Sequence, residues 1–171
     1  MKRFLLWGIG LILLAVGAIA FELVRETRQH DPGHLMACME VEKPLMSWVC
    51  EQVFFHGGFS EQDIADLNQT AGTRMVAVFS DPAKADAALV QLLREGVDIN
   101  ATDIRVQHMT ALHAAALDGD VPQIRRLLAH GAKRDIRDDS GRTAADYARE
   151  LQAKQPEQTH WKAIADMLAK G

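Results

Sequence analysis

The chain has 171 residues, which is enough for one domain with a small appendage. Hydrophobic residues make up 48% of it and charged residues 25%, a composition typical of a folded protein, which excludes an intrinsically disordered one. The net charge is −4 and the 19 Lys and Arg residues are scattered, which argues against a basic surface for binding DNA or RNA.

The sequence begins with an apolar stretch typical of export. Residues 4–21 carry no charge and follow directly on Lys2 and Arg3. A helix of this length would extend over roughly 27 Å, close to the bilayer hydrocarbon thickness of about 30 Å. The two cations predict that the N-terminus stays in the cytoplasm and that the following chain is exported. We therefore interpret residues 1–24 as a transmembrane anchor or a signal peptide.

Retention or cleavage of this segment decides the predicted location. Ala18-Ile19-Ala20 fits a signal-peptidase site, which would leave a soluble periplasmic protein after cleavage behind Ala20. The apolar run continues into Phe21 without a polar region, and this favours an uncleaved anchor. The short export signal indicates a bacterium, so the predicted location is the inner membrane, facing the periplasm. A buried core helix is the less favoured alternative, because the run follows two N-terminal cations.

Three short helices are predicted after the export segment. Asp31-Pro32 is typical of an N-cap followed by proline in the first helical turn. Pro44 would begin a second helix, which Gly57-Gly58 would end. Ser60 and Asp63 then resemble a capping box that opens a third helix. Residues 30–72 are thus predicted to be a helical region, whose aromatic residues need a surface to pack on.

The chain has two cysteines, Cys38 and Cys50, each six positions from Pro44. In an antiparallel helical hairpin that turns near Pro44 they would lie level with each other. Outside the cytoplasm such a pair predicts a disulfide. The alternative is two free buried thiols. A redox enzyme is disfavoured, because the spacing is not Cys-x-x-Cys.

The second half of the sequence repeats itself. Thr110 recurs as Thr143, 33 positions later, and three similar apolar helix ends close on Gly96, Gly131 and Gly171. A glycine after an apolar helix face is able to adopt the positive φ that ends a helix.

These residues resemble the ankyrin repeat, whose pattern begins Thr-Pro-Leu-His. The matching positions are Thr110, Leu112, His113, Ala115, Ala116, Gly119, Leu127, Leu128, Gly131, Ala132, Asp138, Gly141 and Thr143. The resemblance covers residues 75–171, and in the degenerate unit at 75–100 only the second helix is clear. It implies an all-α solenoid of about three helix pairs, with residues 30–72 as an N-terminal helical cap over the open end.

The sequence departs from the family pattern in three ways. Ala111 and Ala144 replace the proline of the pattern, and Asp146 stands where its histidine would be. Residues 104–109 make the projecting loop, which we call the first tip, two residues longer than usual. The corresponding loop of the next repeat, residues 137–142, is the second tip.

His113 has two interpretations, a metal or catalytic group and a structural one. In the family this histidine caps the turn by bonding the threonine and nearby backbone. A metal site would need further ligands, and the nearest candidates do not fall at a spacing that places three on one face: His108, Asp118, His130 and His160. The structural interpretation is favoured, and no metal or other cofactor is predicted.

No sequence motif indicates an enzyme. There is no glycine-rich phosphate loop, no Gly-x-Ser-x-Gly and no His-Glu-x-x-His. In the family, partners bind across the tips and the exposed face of the first helices. In this sequence those positions are Ile104, Arg105, Val106, Gln107, Ala114, Leu117, Asp118, Arg137, Asp138, Asp139, Arg142, Tyr147 and Glu150.

The resemblance therefore predicts a non-enzymatic module that binds one or more proteins, and neither nucleic acid nor a small-molecule substrate. One hypothesis is an inhibitor or immunity-type protein of a periplasmic toxin or hydrolase. The alternative is an envelope scaffold or accessory factor for another periplasmic protein, such as a stress-defence enzyme. Changing Arg105 to Glu together with Val106 to Asp should abolish partner capture without lowering the thermal midpoint.

Overall fold

The computed structural model describes residues 31–41 and 43–169. They fall into two compact units, which divide between Gly58 and Phe59 and are described separately. No helix in the described ranges has the length and apolar character needed to cross a bilayer. The predicted anchor at residues 4–21 and the helix-ending Gly171 lie outside the described residues.

The first unit contains two helices, α1 (Pro32–Val41) and α2 (Pro44–His56). The Asp31 carboxylate caps α1 by accepting a hydrogen bond from the backbone N–H of His34 at 3.0 Å. Pro44 is in the first turn of α2, where a missing N–H has no cost. The two helices pack through buried apolar side chains, among them Leu35, Met36, Met39, Val53 and Phe54.

Cys38 of α1 and Cys50 of α2 form a disulfide, which confirms the predicted pairing. Their Cα atoms are 6.1 Å apart, within the range that a disulfide bridges. Both flanking helices begin at a proline, so the chain reverses between them and places the two residues opposite each other. The disulfide fastens the hairpin of the first unit.

We expect reduction of this disulfide to destabilise the first unit by about 3 kcal/mol, because the loop it closes regains conformational entropy when unfolded. The repeats should stay helical, since the disulfide lies outside their unit. Circular dichroism with and without reductant measures both effects. Loss of nearly all helical signal on reduction would show instead that the two units fold together.

The second unit is built mainly from helices. Its elements are α3 (Glu61–Gln69), a 3₁₀ helix (Gly72–Val78), α4 (Pro82–Glu95), β1 (Thr102–Asp103), β2 (Met109–Thr110), α5 (Ala111–Asp118), α6 (Val121–Ala129), α7 (Ala144–Lys154) and α8 (His160–Ala169). Three helix pairs follow one another, the 3₁₀ helix with α4, α5 with α6, and α7 with α8. The first helix of the degenerate repeat, for which the sequence shows no pattern, is thus the 3₁₀ helix.

Helix α3 belongs to the second unit, whereas the sequence pattern groups it with the helical cap. It has the predicted capping box, in which Ser60 and Asp63 bond each other's backbone N–H groups. The Asn68 side-chain oxygen accepts a hydrogen bond from the Asp98 N–H at 2.7 Å, and the Gln69 carbonyl accepts one from the Ile104 N–H at 3.0 Å. These bonds join α3 to the end of the first repeat, and no local sequence signal marks them.

Small residues let the helices of the repeats approach closely. The core of α5 to α8 combines alanines with a few large apolar side chains, namely Leu112, Ile124, Leu127, Trp161, Ile164 and Leu168. Gly119, between α5 and α6, has a φ of 69°, and a Cβ there would lie 3.0 Å from the Trp161 ring. The position therefore requires glycine for its backbone conformation and for its packing.

Candidate protein-interaction surface

A buried carboxylate organises the first tip. Asp103 ends β1, pairs with Met109 of β2, and is 2% exposed. It accepts hydrogen bonds from Arg105, from the backbone N–H at 2.9 Å and from Nε and Nη2 at 3.1 Å each. The side-chain bond from Arg105 lowers the pKa of Asp103 below its ordinary value, against the effect of burial. The tip is thereby held in one conformation.

A second buried carboxylate organises the second tip in the same way. One oxygen of Asp138 accepts from the backbone N–H groups of Ser140 and Arg142, each at 2.9 Å, and the other accepts from the Tyr147 hydroxyl. Burial acts to raise the pKa of Asp138, but the hydrogen bond from Tyr147 and those from the backbone lower it overall. Burial and the bond to Asp138 raise the pKa of Tyr147 to about 12.

The two tips contact each other directly. The Asp139 N–H donates to the Gln107 carbonyl at 3.0 Å, and the Asp139 carboxylate lies 2.9 Å from Nδ1 of His108. The Ser140 hydroxyl adds a longer bond to the Gln107 side chain at 3.4 Å. Gln107 and His108, which carry these contacts, both have positive φ. The tips therefore form one continuous surface.

His113 makes three hydrogen bonds inside the protein. Its Nδ1 accepts from the Thr110 backbone N–H at 3.2 Å and lies 2.8 Å from the Thr110 hydroxyl. Its Nε2 donates to the Arg142 carbonyl at 3.1 Å, since a carbonyl oxygen only accepts. The imidazole is 1% exposed, and this burial lowers its pKa below the ordinary value. His113 thus caps α5 and bonds the second tip.

Asp146 performs only the first of these two roles. Its carboxylate accepts from the Thr143 N–H at 2.9 Å and from the Thr143 hydroxyl at 2.8 Å, which completes a capping box on α7. The carboxylate does not bridge to a following loop in the described residues, whereas the imidazole at the preceding repeat does.

The predicted partner-binding residues divide into three groups. The exposed tip residues are Ile104, Arg105, Val106, Gln107, Arg137 and Asp139. On the helices, Ala114, Leu117 and Asp118 lie on α5 and Glu150 lies on α7, all at least partly exposed. Arg142 is partly exposed; its guanidinium lies 4.2 Å from the centre of the Tyr147 ring and donates to Glu150 at 3.1 Å.

Two of the predicted partner-binding residues are buried in the structure. Asp138 and Tyr147 are each 5% exposed and bond to each other, so they support the second tip from inside.

The expectation for the Arg105 and Val106 double change also needs correction, because Arg105 neutralises the buried Asp103. A glutamate there would place two carboxylates together and lower stability, which would confuse any effect on binding.

Three residues of the tips have no counterpart among the predicted positions. Asp103 holds Arg105, and His108 and Ser140 connect the tips. Asp103 and Asp138 play equivalent parts in successive repeats. This equivalence is the sequence signal from which the role of Asp103 could have been predicted. Among residues 31–41 and 43–169 no cluster of three His, Cys, Asp or Glu side chains is placed to hold a metal ion.

The family model for ankyrin repeats (3 copies) matches residues 75–156, a little under half of the chain. The match begins in the 3₁₀ helix and ends just after α7, so it includes both tips. A comparison with curated proteins finds no match. Residues 75–156 are therefore ankyrin repeats, and such repeats indicate a protein–protein interaction module.

Proposed function

We propose that the protein is a non-enzymatic module that captures a partner protein on its joined tips. The observation that carries this is the exposure of Ile104 and Val106, with 54% and 43% of each residue accessible. Both side chains lie on the first tip. The second tip consists instead of charged and small residues. Apolar side chains held out on a loop are a feature of interaction sites.

The tip is built to keep these two side chains in place. Arg105, which lies between them in sequence, is directed to Asp103 by two side-chain bonds. The contacts of Gln107 and His108 with the second tip restrain the other end of the loop. A surface ordered before binding loses less conformational entropy when a partner docks, which favours tight capture.

The remainder of the proposal concerns location and role. We place the protein at the periplasmic face of a bacterial inner membrane, on the uncharged run at residues 4–21. A pre-ordered surface on a small acidic chain suits an inhibitor of a periplasmic toxin or hydrolase. The alternative is a scaffold or accessory factor for another envelope protein. Exposed Ile104 and Val106 are compatible with either role. The stoichiometry of the partner distinguishes an inhibitor from a scaffold.

The test replaces both apolar side chains by serine, Ile104→Ser with Val106→Ser, in the tagged full-length chain. Because neither side chain is buried, the thermal midpoint should be almost unchanged. Recovery of the partner from native envelopes should fall at least about tenfold, as expected when apolar contacts at an interface centre are lost. Mass spectrometry of the co-purified proteins measures how much of the partner is recovered.

Val78→Ser is the matched control. Val78 is 42% exposed, close to the 43% of Val106, but it lies at the end of the 3₁₀ helix, away from the tips. The control should retain the partner. Equal recovery with the tip variant and the wild type would show that the tips do not bind it. One stoichiometric toxin-like or hydrolase partner would support an inhibitor, and several substoichiometric partners a scaffold.

A further inference from the structure

A cavity of about 350 Å³ lies behind the second tip, separate from the exposed apolar pair on the first. Three arginines line it, Arg134 before the tip, Arg137 within it and Arg149 on α7. Ala145 and Leu168 provide apolar wall from α7 and α8. The cavity is therefore open to solvent, with apolar wall from core elements and arginine side chains in its lining.

Comparison of successive repeats explains why the cavity exists. Gly96 and Gly131 are 35 positions apart, and the same interval relates Ile99 to Arg134. Ile99 is 8% exposed and belongs to the hydrophobic core. The last repeat thus has an arginine at the position where the preceding repeat buries an isoleucine.

A second difference between the repeats opens space beside that arginine. Thr110 and Thr143 are 33 positions apart, and the same interval relates Leu112 to Ala145. Leu112 is 2% exposed and fills the core, whereas alanine at the later position is three carbon atoms smaller. The two changes together replace a packed apolar site by a cavity with a guanidinium beside it.

Among the described residues, the side chains that line the cavity carry more positive than negative charge. Three arginines and two aspartates of residues 134–169 line it, a formal excess of one positive charge. The Asp146 carboxylate is engaged by Thr143 and by Arg149. Nε of Arg134 is buried and has no hydrogen-bond partner within the described part of the chain.

We propose that this cavity binds a small oxyanion, a carboxylate or a phosphate group. The planar guanidinium fork matches the paired oxygens of both groups. The volume suits a small ligand. The guanidinium groups of Arg134, Arg137 and Arg149 supply the donors and the positive charge. The site is independent of partner capture on the first tip, so either assignment is able to fail without the other.

Titration calorimetry of the full-length chain with inorganic phosphate and with malonate, at constant ionic strength, tests the proposal. We expect saturable binding of at least one anion, and the tighter of the two identifies the group as phosphate or carboxylate. Arg134→Gln removes the central donor and should weaken binding about tenfold or more. Ala145→Leu keeps every arginine and fills the cavity with the residue of the preceding repeat, and it should also abolish binding.

Arg125→Gln is the control, because Arg125 is an exposed arginine on α6 outside the cavity. It should bind the anions as the wild type does. Absence of saturable binding with both anions would overturn the proposal. Unchanged binding in both cavity variants would also overturn it, and so would a loss in the Arg125 control equal to that in the cavity variants. Either result would indicate that the anions are attracted by surface charge in general. Circular dichroism of Arg134→Gln, which adds no bulk to the core, verifies that at least one test variant is folded.

Discussion

His113→Ala should lower the free energy of unfolding of the repeat unit by about 3 kcal/mol, because buried hydrogen bonds and ring packing are lost together. Without the imidazole, within the described residues, the Thr110 N–H has no side-chain acceptor and the Arg142 carbonyl keeps only its bond from the Asp138 N–H. The removed ring also packs edge-on against Tyr147, with centroids 6.1 Å apart, so a cavity adds to the cost. Thermal and denaturant unfolding of the full-length chain measure the change.

The matched control is Asp146→Ala, which removes the same helix cap one repeat later. Within the described residues the Asp146 side chain bonds Thr143 and Arg149, and it is 35% exposed, so we expect a loss of about 1 kcal/mol. A cost for His113→Ala as small as for the control would show that the bond to Arg142 contributes nothing.

His113 also makes stability depend on pH in a defined direction. Burial lowers its pKa below 6.5, so between the two values the unfolded chain binds more protons than the folded chain. The stabilisation is fully present above about pH 6.5 and decreases as the pH falls through that value towards the folded pKa. His113→Ala should flatten this part of the curve. An unchanged slope in the variant would contradict the assignment.

Asp138→Ala should be at least as costly, by about 3–4 kcal/mol, because three donors lose one buried carboxylate. The side chain of Asp138 has no solvent exposure, and it holds the backbone of the second tip through the N–H groups of Ser140 and Arg142. The Tyr147 hydroxyl loses its acceptor as well. Denaturant unfolding measures the loss.

The same variant has a spectroscopic consequence. Tyr147 is the only tyrosine in the chain, so the ultraviolet absorbance of tyrosinate reports on this residue alone. In the wild type the tyrosinate signal should appear at about pH 12, and in Asp138→Ala it should move down towards 10. Asp139→Ala, whose side chain is 59% exposed, is the control and should change neither stability nor titration appreciably. A Tyr147 titration that does not move in Asp138→Ala would exclude the bond.

Several elements of this protein follow from residues that lie close together in sequence. Ser60 with Asp63, Thr110 with His113 and Thr143 with Asp146 are capping pairs three positions apart, and each forms as its spacing indicates. The disulfide follows from two cysteines placed evenly around Pro44. The capping pairs are three positions apart and the cysteines 12, so short sequence patterns are enough to predict these contacts.

The proposed partner-binding surface was predictable from the sequence only in outline. The resemblance locates both tips, but within them it does not distinguish the exposed Asp139 from the buried Asp138. The two aspartates are adjacent, and only the packing of α7, which places the Tyr147 hydroxyl against one of them, makes the difference.

The sequence by itself determined the helix caps, the disulfide and the repeats, because each depends on a short pattern or on a pattern that recurs. Only the tertiary structure decided how the tips join and where the arginine-lined cavity lies. Asp139 and His108 are 31 positions apart, and Ala145 and Leu168 meet at the cavity from different helices. These contacts arise when one repeat stacks on the next, and no short run of residues carries the information for that stacking.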